Sequence, residues 1–466
     1  MIKFKPLEIE DKAIIDSFTL KSECRNCDMS FANIFCWRAF HKSHWAIVDG
    51  FLVIRFILDG KEQVGYMQPI GEGNFFHILP LLAEDAMLNF NQRLRMYGLC
   101  REGRKVITDA NGKEFAFDDN RALSDYIYLR EDLLSLTGRR YQPKRNHFNR
   151  FTSTYNYRYE ELTPQHFADC MALEKQWRET RGANGDDEAI YYEELALKEA
   201  FENWDALQLK GGVIYVDDKL AAFTYGSPIN YDTFDCHIEK ADTKFEGIFA
   251  AINKLFAGSI GEEFTYINRE EDMGLEGLRR SKLSYYPTLL WPKTTAIHLT
   301  KEELSCKELW QEVFSDSDEF IDKFLLQHFK SEQMLCIKEQ ESIVSMLHLI
   351  PMELNGSKVG YVYGVATKSS HRKRGYASEL LRRAEKRASE VGMEALILIP
   401  AGIEAAKFYS DLGYSENIPI TFRSKRDFDF GTGTTENNRA MILKLNPEFN
   451  PVSDIDEPLI TLIVAN

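Results

Sequence analysis

Short runs rich in β-branched and aromatic residues, each long enough for a pair of strands, recur at three separated places in the chain. They are Trp45 to Arg55, broken at Asp49-Gly50, then Gly212 to Thr224, and Met334 to Leu347. Each run predicts a β-hairpin, and Asp-Gly is a strong turn signal. Nearer the C-terminus, Tyr361 to Thr367 predicts a further strand. Ala377, Leu380, Leu381, Ala384, Ala388 and Val391 then fall at helical spacing. Ile397 to Pro400 predicts another strand, and Ile403 to Leu412 another helix.

A second pattern precedes each hairpin. Leu7-Glu8-Ile9-Glu10-Asp11, Leu162-Thr163-Pro164-Gln165 and Leu299-Thr300-Lys301-Glu302-Glu303 each follow a short apolar strand and open a helical run. Thr163 is a cap followed by proline at the first helical position, and Thr300/Glu303 has the spacing of a capping box. The repeat predicts an α+β protein of three similar units, residues 1–135, 136–293 and 294–466. Leu134 to Arg140 leaves the first unit. Tyr286 to Thr294, punctuated by Pro287 and Pro292, leaves the second.

Between the Tyr361 strand and the helix after it lies Arg372-Lys373-Arg374-Gly375-Tyr376-Ala377-Ser378. A helix start offers free N–H groups and about half a positive charge, glycine lets the backbone approach an anion, and arginine grips phosphate in two places. The loop therefore suits a pyrophosphate. The competing reading is an ordinary βα turn with a solvated basic patch.

Arg372-x-x-Gly375-x-Ala377, followed by Phe408-Tyr409-x-x-x-Gly413-Tyr414, resembles the GNAT family of acyl-CoA N-acyltransferases over about residues 294 to 423. The resemblance implies acetyl-CoA as co-substrate and an amine as acceptor. The pyrophosphate would lie on Arg372, Lys373, Arg374, Gly375, Tyr376, Ala377 and Ser378. The pantetheine arm would lie on the backbones of Val365 and Thr367, beside a bulge near Gly364. Tyr409 would return a proton to the leaving thiolate. One departure is Gly402, where many members carry asparagine. His348 and Glu353 flank the strand pair expected to face the substrate. Either is a candidate base or a structural residue.

Residues 1 to 293 resemble the C-terminal catalytic domain of phosphatidylglycerol lysyltransferases and the paired-GNAT design of Fem aminoacyltransferases. The residues behind this are Leu136 to Phe151, His237 to Asp242 and Asn268 to Pro287. That resemblance implies aminoacyl-tRNA as an alternative donor, with a lipid or peptide acceptor, and Glu239, Arg269, Lys282 and Ser284 lining a cleft. Arg139, Arg140, Lys144, Arg145 and Arg150 either meet phosphates or form the solvated face of a linker helix. No R-x-x-G-x-A follows Glu239, and Leu278-Arg279-Arg280 stands where the third unit has Phe408-Tyr409. A non-catalytic module that presents substrate to the third unit is the remaining alternative.

Composition narrows the partners. A net charge of −15 over 466 residues argues against a general nucleic-acid surface, DNA included, or an anionic-membrane surface, and leaves room for a local basic cleft. No stretch approaches the roughly 18 apolar residues of a membrane span. The start at Met1 shows no apolar signal core, and the eight cysteines are scattered. A bacterial cytoplasmic protein is expected. Cys24-x-x-Cys27, near Cys36, His41 and His44, lacks a second pair and sits among Phe31, Ile34, Phe35 and Trp37, so no metal is expected.

Overall fold

The computed structural model describes all residues except 1, 59–61, 182–186, 355, 424–429, 431–438, 452–458 and 463–466. It resolves into two compact units, Met1–Gly112 with Asp119–His298, and Lys113–Asp118 with Leu299–Asn466. Among the described residues no helix is long and apolar enough to cross a membrane.

The first unit contains two sheets. One runs in the order Lys5–Pro6, His44–Val48, Phe51–Leu58, Gln63–Met67, Arg95–Leu99, Thr294–His298. The other runs Leu289–Trp291, Asp125–Leu129, Tyr266–Asn268, Thr233–Ala241, Lys219–Pro228, Lys210–Val216, Tyr157–Glu161. The expected limits at 135 and 293 therefore do not separate the sheets. Asp125–Leu129 has crossed into the second sheet, where it pairs with Tyr266–Asn268 and Leu289–Trp291. Thr294–His298 has crossed into the first, against Arg95–Leu99. The two halves also share one core. Ile15, Phe31 and Phe35 lie in the same apolar cluster as Phe201, Trp204, Phe223 and Tyr225. Mixed helix and sheet, in a paired GNAT-like module, describes this unit.

The second unit orders its strands Ser415–Pro419, Arg439–Lys444, Ala395–Leu398, Ser357–Thr367, Ser342–Leu354, Leu459–Leu462, Thr421–Arg423, with Met334–Glu339 also on Ser342–Leu354. It recruits a segment from far upstream. Leu299 N–H donates to Glu114 O at 2.8 Å and Ala116 is part of the core. The unit expected to begin at 294 thus includes 113–118.

The threefold repeat is visible in local geometry. Both residues of each hairpin turn have positive φ: Asp49 (48°) and Gly50 (85°), Asp217 (47°) and Asp218 (60°), Gln340 (50°) and Glu341 (71°). Two left-handed residues make the turn whose twist matches the flanking strands. Each helical start also closes a capping box, Glu8 with Asp11, Thr163 with His166, and Thr300 with Glu303. The leucine just before each cap, Leu7, Leu162 or Leu299, is buried. Each repeat contains a parallel strand pair: Gln63–Met67 with Arg95–Leu99, Thr233–Ala241 with Tyr266–Asn268, and Ser357–Thr367 with Ala395–Leu398.

Candidate active sites

In the second unit the parallel pair holds only from Val359/Ala395 to Tyr361/Ile397. Beyond Tyr361 the strand bulges. Met346 faces Ala366 while His348 faces Tyr363, so Gly364 and Val365 oppose Leu347 alone. Gly364 takes φ 62°. A side chain there would come within 3.3 Å of Trp310, so glycine suits both the conformation and the space. Val365 and Thr367 are half-buried on this stretch, which has no parallel partner, and Thr367 shares a 2.9 Å hydroxyl contact with Ser345.

The basic bend follows. Arg372, Lys373, Arg374 and Gly375 are all exposed. Gly375 (φ 83°) caps the helix Tyr376–Glu390 without a side-chain bond. The first intrahelical bond is Glu379 N–H to Gly375 O, so the N–H groups of Tyr376, Ala377 and Ser378 precede the helical ladder. Glu339 crosses the bend, 2.8 Å from the Tyr376 hydroxyl, 3.2 Å from His371 Nε2 and 3.7 Å from Arg374 Nη1. The bonds from Tyr376 and His371 hold its carboxyl below the usual range.

Tyr409 lies in the apolar cluster beside this helix, its ring edge-on to Tyr414 at 5.9 Å. Burial pushes its phenol up to about 12, so it stays protonated at neutral pH. Gly402 caps its helix at φ 142°. His348 does not face an open substrate site. It is 1% exposed and caged by Phe324, Phe329 and Trp310, with Cys306 Sγ 3.7 Å from Nε2. Burial holds its imidazole down at about 3, which removes it as a base. Glu353 is exposed and pairs with Lys358 beside the hairpin turn, at the opposite end of the strand pair from Thr367.

The first unit repeats this design with different contents. Gly247 (φ 87°) caps the helix Ile248–Ser259 at the position that Gly375 occupies in the second unit. A Cβ on Gly247 would fall 2.3 Å from His147 O and 3.2 Å from Phe151, whereas one on Gly375 would meet nothing within 4 Å. The helix Gln142–Thr154 therefore packs directly against this bend. The basic residues in this helix and in the turn Arg139–Tyr141 before it are also largely committed. Arg140 pairs with Asp132 (3.0 Å), Arg150 with Glu246, and Arg145 donates to Gly138 O (2.7 Å). Lys144 lies 3.9 Å over Tyr285.

The parallel pair here ends at Asp235/Asn268, and the bulge residue is His237, between Tyr225/Ile238 and Gly226/Cys236. Charged groups line the gap. Arg269 Nη2 lies 3.1 and 3.2 Å from the two Glu239 oxygens, and Lys282 Nζ is held at 2.5 Å by each of the carbonyls of Arg269 and Glu271. The structure thus brings Glu239, Arg269 and Lys282 together. Ser284 instead bonds its own helix at Ser281 O. Deeper in, Lys293 Nζ meets Asp125 (2.8 Å), Glu271 (2.9 Å), Asp28 (3.2 Å) and Cys27 Sγ (3.3 Å). Burial opposes its charge, but Asp125 and the other anions hold the ammonium well above its usual range. Asp125, Asp235 and Lys293 carry no signal in the sequence, whereas Cys27 stands in Cys24-x-x-Cys27 and His237 and Glu270 lie in the runs His237 to Asp242 and Asn268 to Pro287.

A splayed parallel pair with a bulge, once in each unit, defines a paired GNAT-like module joined to a GNAT domain. The chain belongs to the family described as phosphatidylglycerol lysyltransferase, C-terminal, whose model matches residues 21–297. A second model, acetyltransferase (GNAT) domain, matches residues 297–416. A conserved protein of unknown function from Bacteroides thetaiotaomicron is 42% identical, with a TM-score of 0.62 over 64% of this chain and 100% of that one. L-PGS from Bacillus licheniformis is 14% identical, covering 64% of this chain and 94% of its own, with a TM-score of 0.47. An uncharacterised protein of Mycoplasmoides gallisepticum is 27% identical over 172 residues, 36% of this chain. The match spans 54%, about half, of that relative's length.

Proposed function

We propose that the second unit moves an acetyl group from acetyl-CoA to an amine of a small molecule or peptide, in the bacterial cytoplasm. The observation that carries this is the contrast between Gly375 and Gly247: the first bend is open and basic, the second is packed closely against the helix Gln142–Thr154. In this reading Arg372, Lys373 and Arg374, with the N–H groups of Tyr376, Ala377 and Ser378, take the pyrophosphate. The pantetheine lies along Val365 and Thr367, where the strand has no parallel partner. Tyr409 supplies the proton to the thiolate. The match to a GNAT domain supports the acyl-CoA donor.

Isothermal titration of acetyl-CoA tests it. The wild type should bind, and Arg374→Ala/Gly375→Glu should lose at least about tenfold in affinity, since it removes a bidentate phosphate donor and adds a like charge. Equal affinity for both proteins would remove the loop from the reading.

Family membership favours a second activity for the first unit, aminoacyl transfer from aminoacyl-tRNA to a lipid or peptide acceptor. Glu239, Arg269 and Lys282 at the splayed strands are its candidate substrate contacts. The internal pairing of Arg140, Arg145 and Arg150 leaves less charge for tRNA phosphates. Co-purified tRNA released steeply by salt would support this activity. Its absence at low salt would count against it.

A further inference from the structure

Next to the Lys293 cluster is a second group of anions with a different balance. Cys27 Sγ, a carboxylate oxygen of Asp235 and one of Glu270 all lie within 4.8 Å of one another. Asp235 is fully buried (0% exposed), and neither of its carboxylate oxygens has a hydrogen-bond partner among the described residues. His237 Nδ1 is also without one, although it lies 3.3 Å from Asp235 Oδ2 and 3.6 Å from Glu270 Oε1. The ring is near the carboxylates but does not point an N–H along a bond to either. Its other nitrogen is committed: Nε2 sits 2.8 Å from Ser227 Oγ, which is 2.8 Å from Ser30 Oγ.

Cys27, Asp125 and Glu271 also come within 4.8 Å of one another, and there the chain supplies its own cation, Lys293, at 2.8 to 3.3 Å. Around Asp235 and Glu270 no lysine or arginine forms an ion pair among the described residues, and the nearest cationic group is His237 itself: burial opposes its charge, but Asp235 and Glu270 raise its imidazole above the usual range. Leaving two buried oxygens and a ring nitrogen unsatisfied is unfavourable. If Nε2–H donates to Ser227, the Nδ1 lone pair faces the carboxylates, an arrangement that is favourable with a cation between them. A serine fixing the tautomer of a ligating histidine is the usual outer support of such a site.

We propose that Asp235, Glu270, Cys27 and His237 Nδ1 form a binding site for a divalent transition-metal ion of the zinc class, built on the bulge of the Thr233–Ala241 strand. A mixed set of imidazole, carboxylate and thiol donors suits zinc or cobalt better than calcium or magnesium, which prefer oxygen alone. Binding releases the thiol proton, and the imidazole proton if present, to solvent. The sequence weighed Cys27 with Cys24, Cys36, His41 and His44. The structure instead gathers it with carboxylates more than 200 positions away. Nothing in this proposal requires the acetyl-CoA reading of the second unit.

The test uses the full chain stripped with a chelator and titrated with Co²⁺. One Co²⁺ should bind per chain, giving visible d–d bands, a near-ultraviolet thiolate-to-cobalt band and a raised melting temperature. Cys27→Ser should abolish the thiolate band while keeping weaker binding. Asp235→Asn/Glu270→Gln should lower affinity at least about tenfold, with far-ultraviolet circular dichroism confirming the fold. Should that double variant fail to fold, the thiolate band of the wild type and its loss in Cys27→Ser decide the matter. A wild type that binds no Co²⁺, or a spectrum unchanged by Cys27→Ser, would overturn the site.

Discussion

Lys307 and Asp322 form an ion pair at 2.5 Å inside the second unit, with both side chains about 95% buried. The pair also fastens the upstream segment. Lys307 Nζ donates to Phe115 O (3.0 Å) and Asp322 Oδ2 accepts from Phe117 N–H (3.0 Å). Removing one partner strands a buried charge and costs roughly 3–5 kcal/mol. Lys307→Met should therefore lower the urea midpoint of the unit sharply. Lys307→Met/Asp322→Leu should recover part of that loss but not all, because the hydrogen bond from Phe117 N–H to Asp322 Oδ2 is lost with the carboxylate. Equal midpoints for the wild type and the single variant would show that the pair contributes little.

Tyr409→Phe keeps the ring against Tyr414 and removes the proton donor. In the acetyl-CoA reading, kcat should fall by about 10²-fold while KM for acetyl-CoA changes little. With its phenol near 12, Tyr409 contributes no basic limb to the wild-type rate below about pH 10. A kcat unchanged in the variant would assign the proton to another group.

His348 sets a pH dependence of stability. Its imidazole falls from 6.5 to about 3 on folding, because burial disfavours the charged form. A group depressed in this way contributes fully above its unfolded value, and that contribution is lost as pH falls through the window from 6.5 towards 3. His348→Leu should shift the acid-unfolding midpoint of the second unit to lower pH. The opposite shift would mean that the ring is protonated in the native state.

Gly247 and Gly375 share a left-handed conformation but not their surroundings. Gly375→Ala should cost about 1–2 kcal/mol, from backbone strain alone. Gly247→Ala adds a collision at 2.3 Å with His147 O, a backbone atom, and should cost more. Chemical denaturation of both variants checks the order. A smaller loss at Gly247 would mean the helix Gln142–Thr154 is free to shift.

What could be read from the chain was local. The Thr300/Glu303 box, the Asp49-Gly50 turn and the Gly375 bend depend on neighbours within a few positions, so residue type and spacing sufficed. His348 misled because a strand pattern gives the face of a side chain but not its lining. The same alternation serves an open cleft and a cage of Trp310, Phe324 and Phe329. Cys27, Asp125, Asp235 and Lys293 converge from distant segments, and no periodicity links them. The exchange of Asp125–Leu129 and Thr294–His298 between sheets was hidden for the same reason. Each strand reads alike whichever sheet receives it.

That exchange bears on how the molecule is made. Arg95–Leu99 emerges early from the ribosome, yet its antiparallel neighbour Thr294–His298 is among the last parts of the first unit to be synthesised. Leu289–Trp291 must likewise find Asp125–Leu129, released long before it. Neither half can mature on its own during translation, and such long-range closure is intrinsically slow. The nascent chain must hold an open sheet edge until the whole unit has been delivered, a period in which a chaperone would find its client.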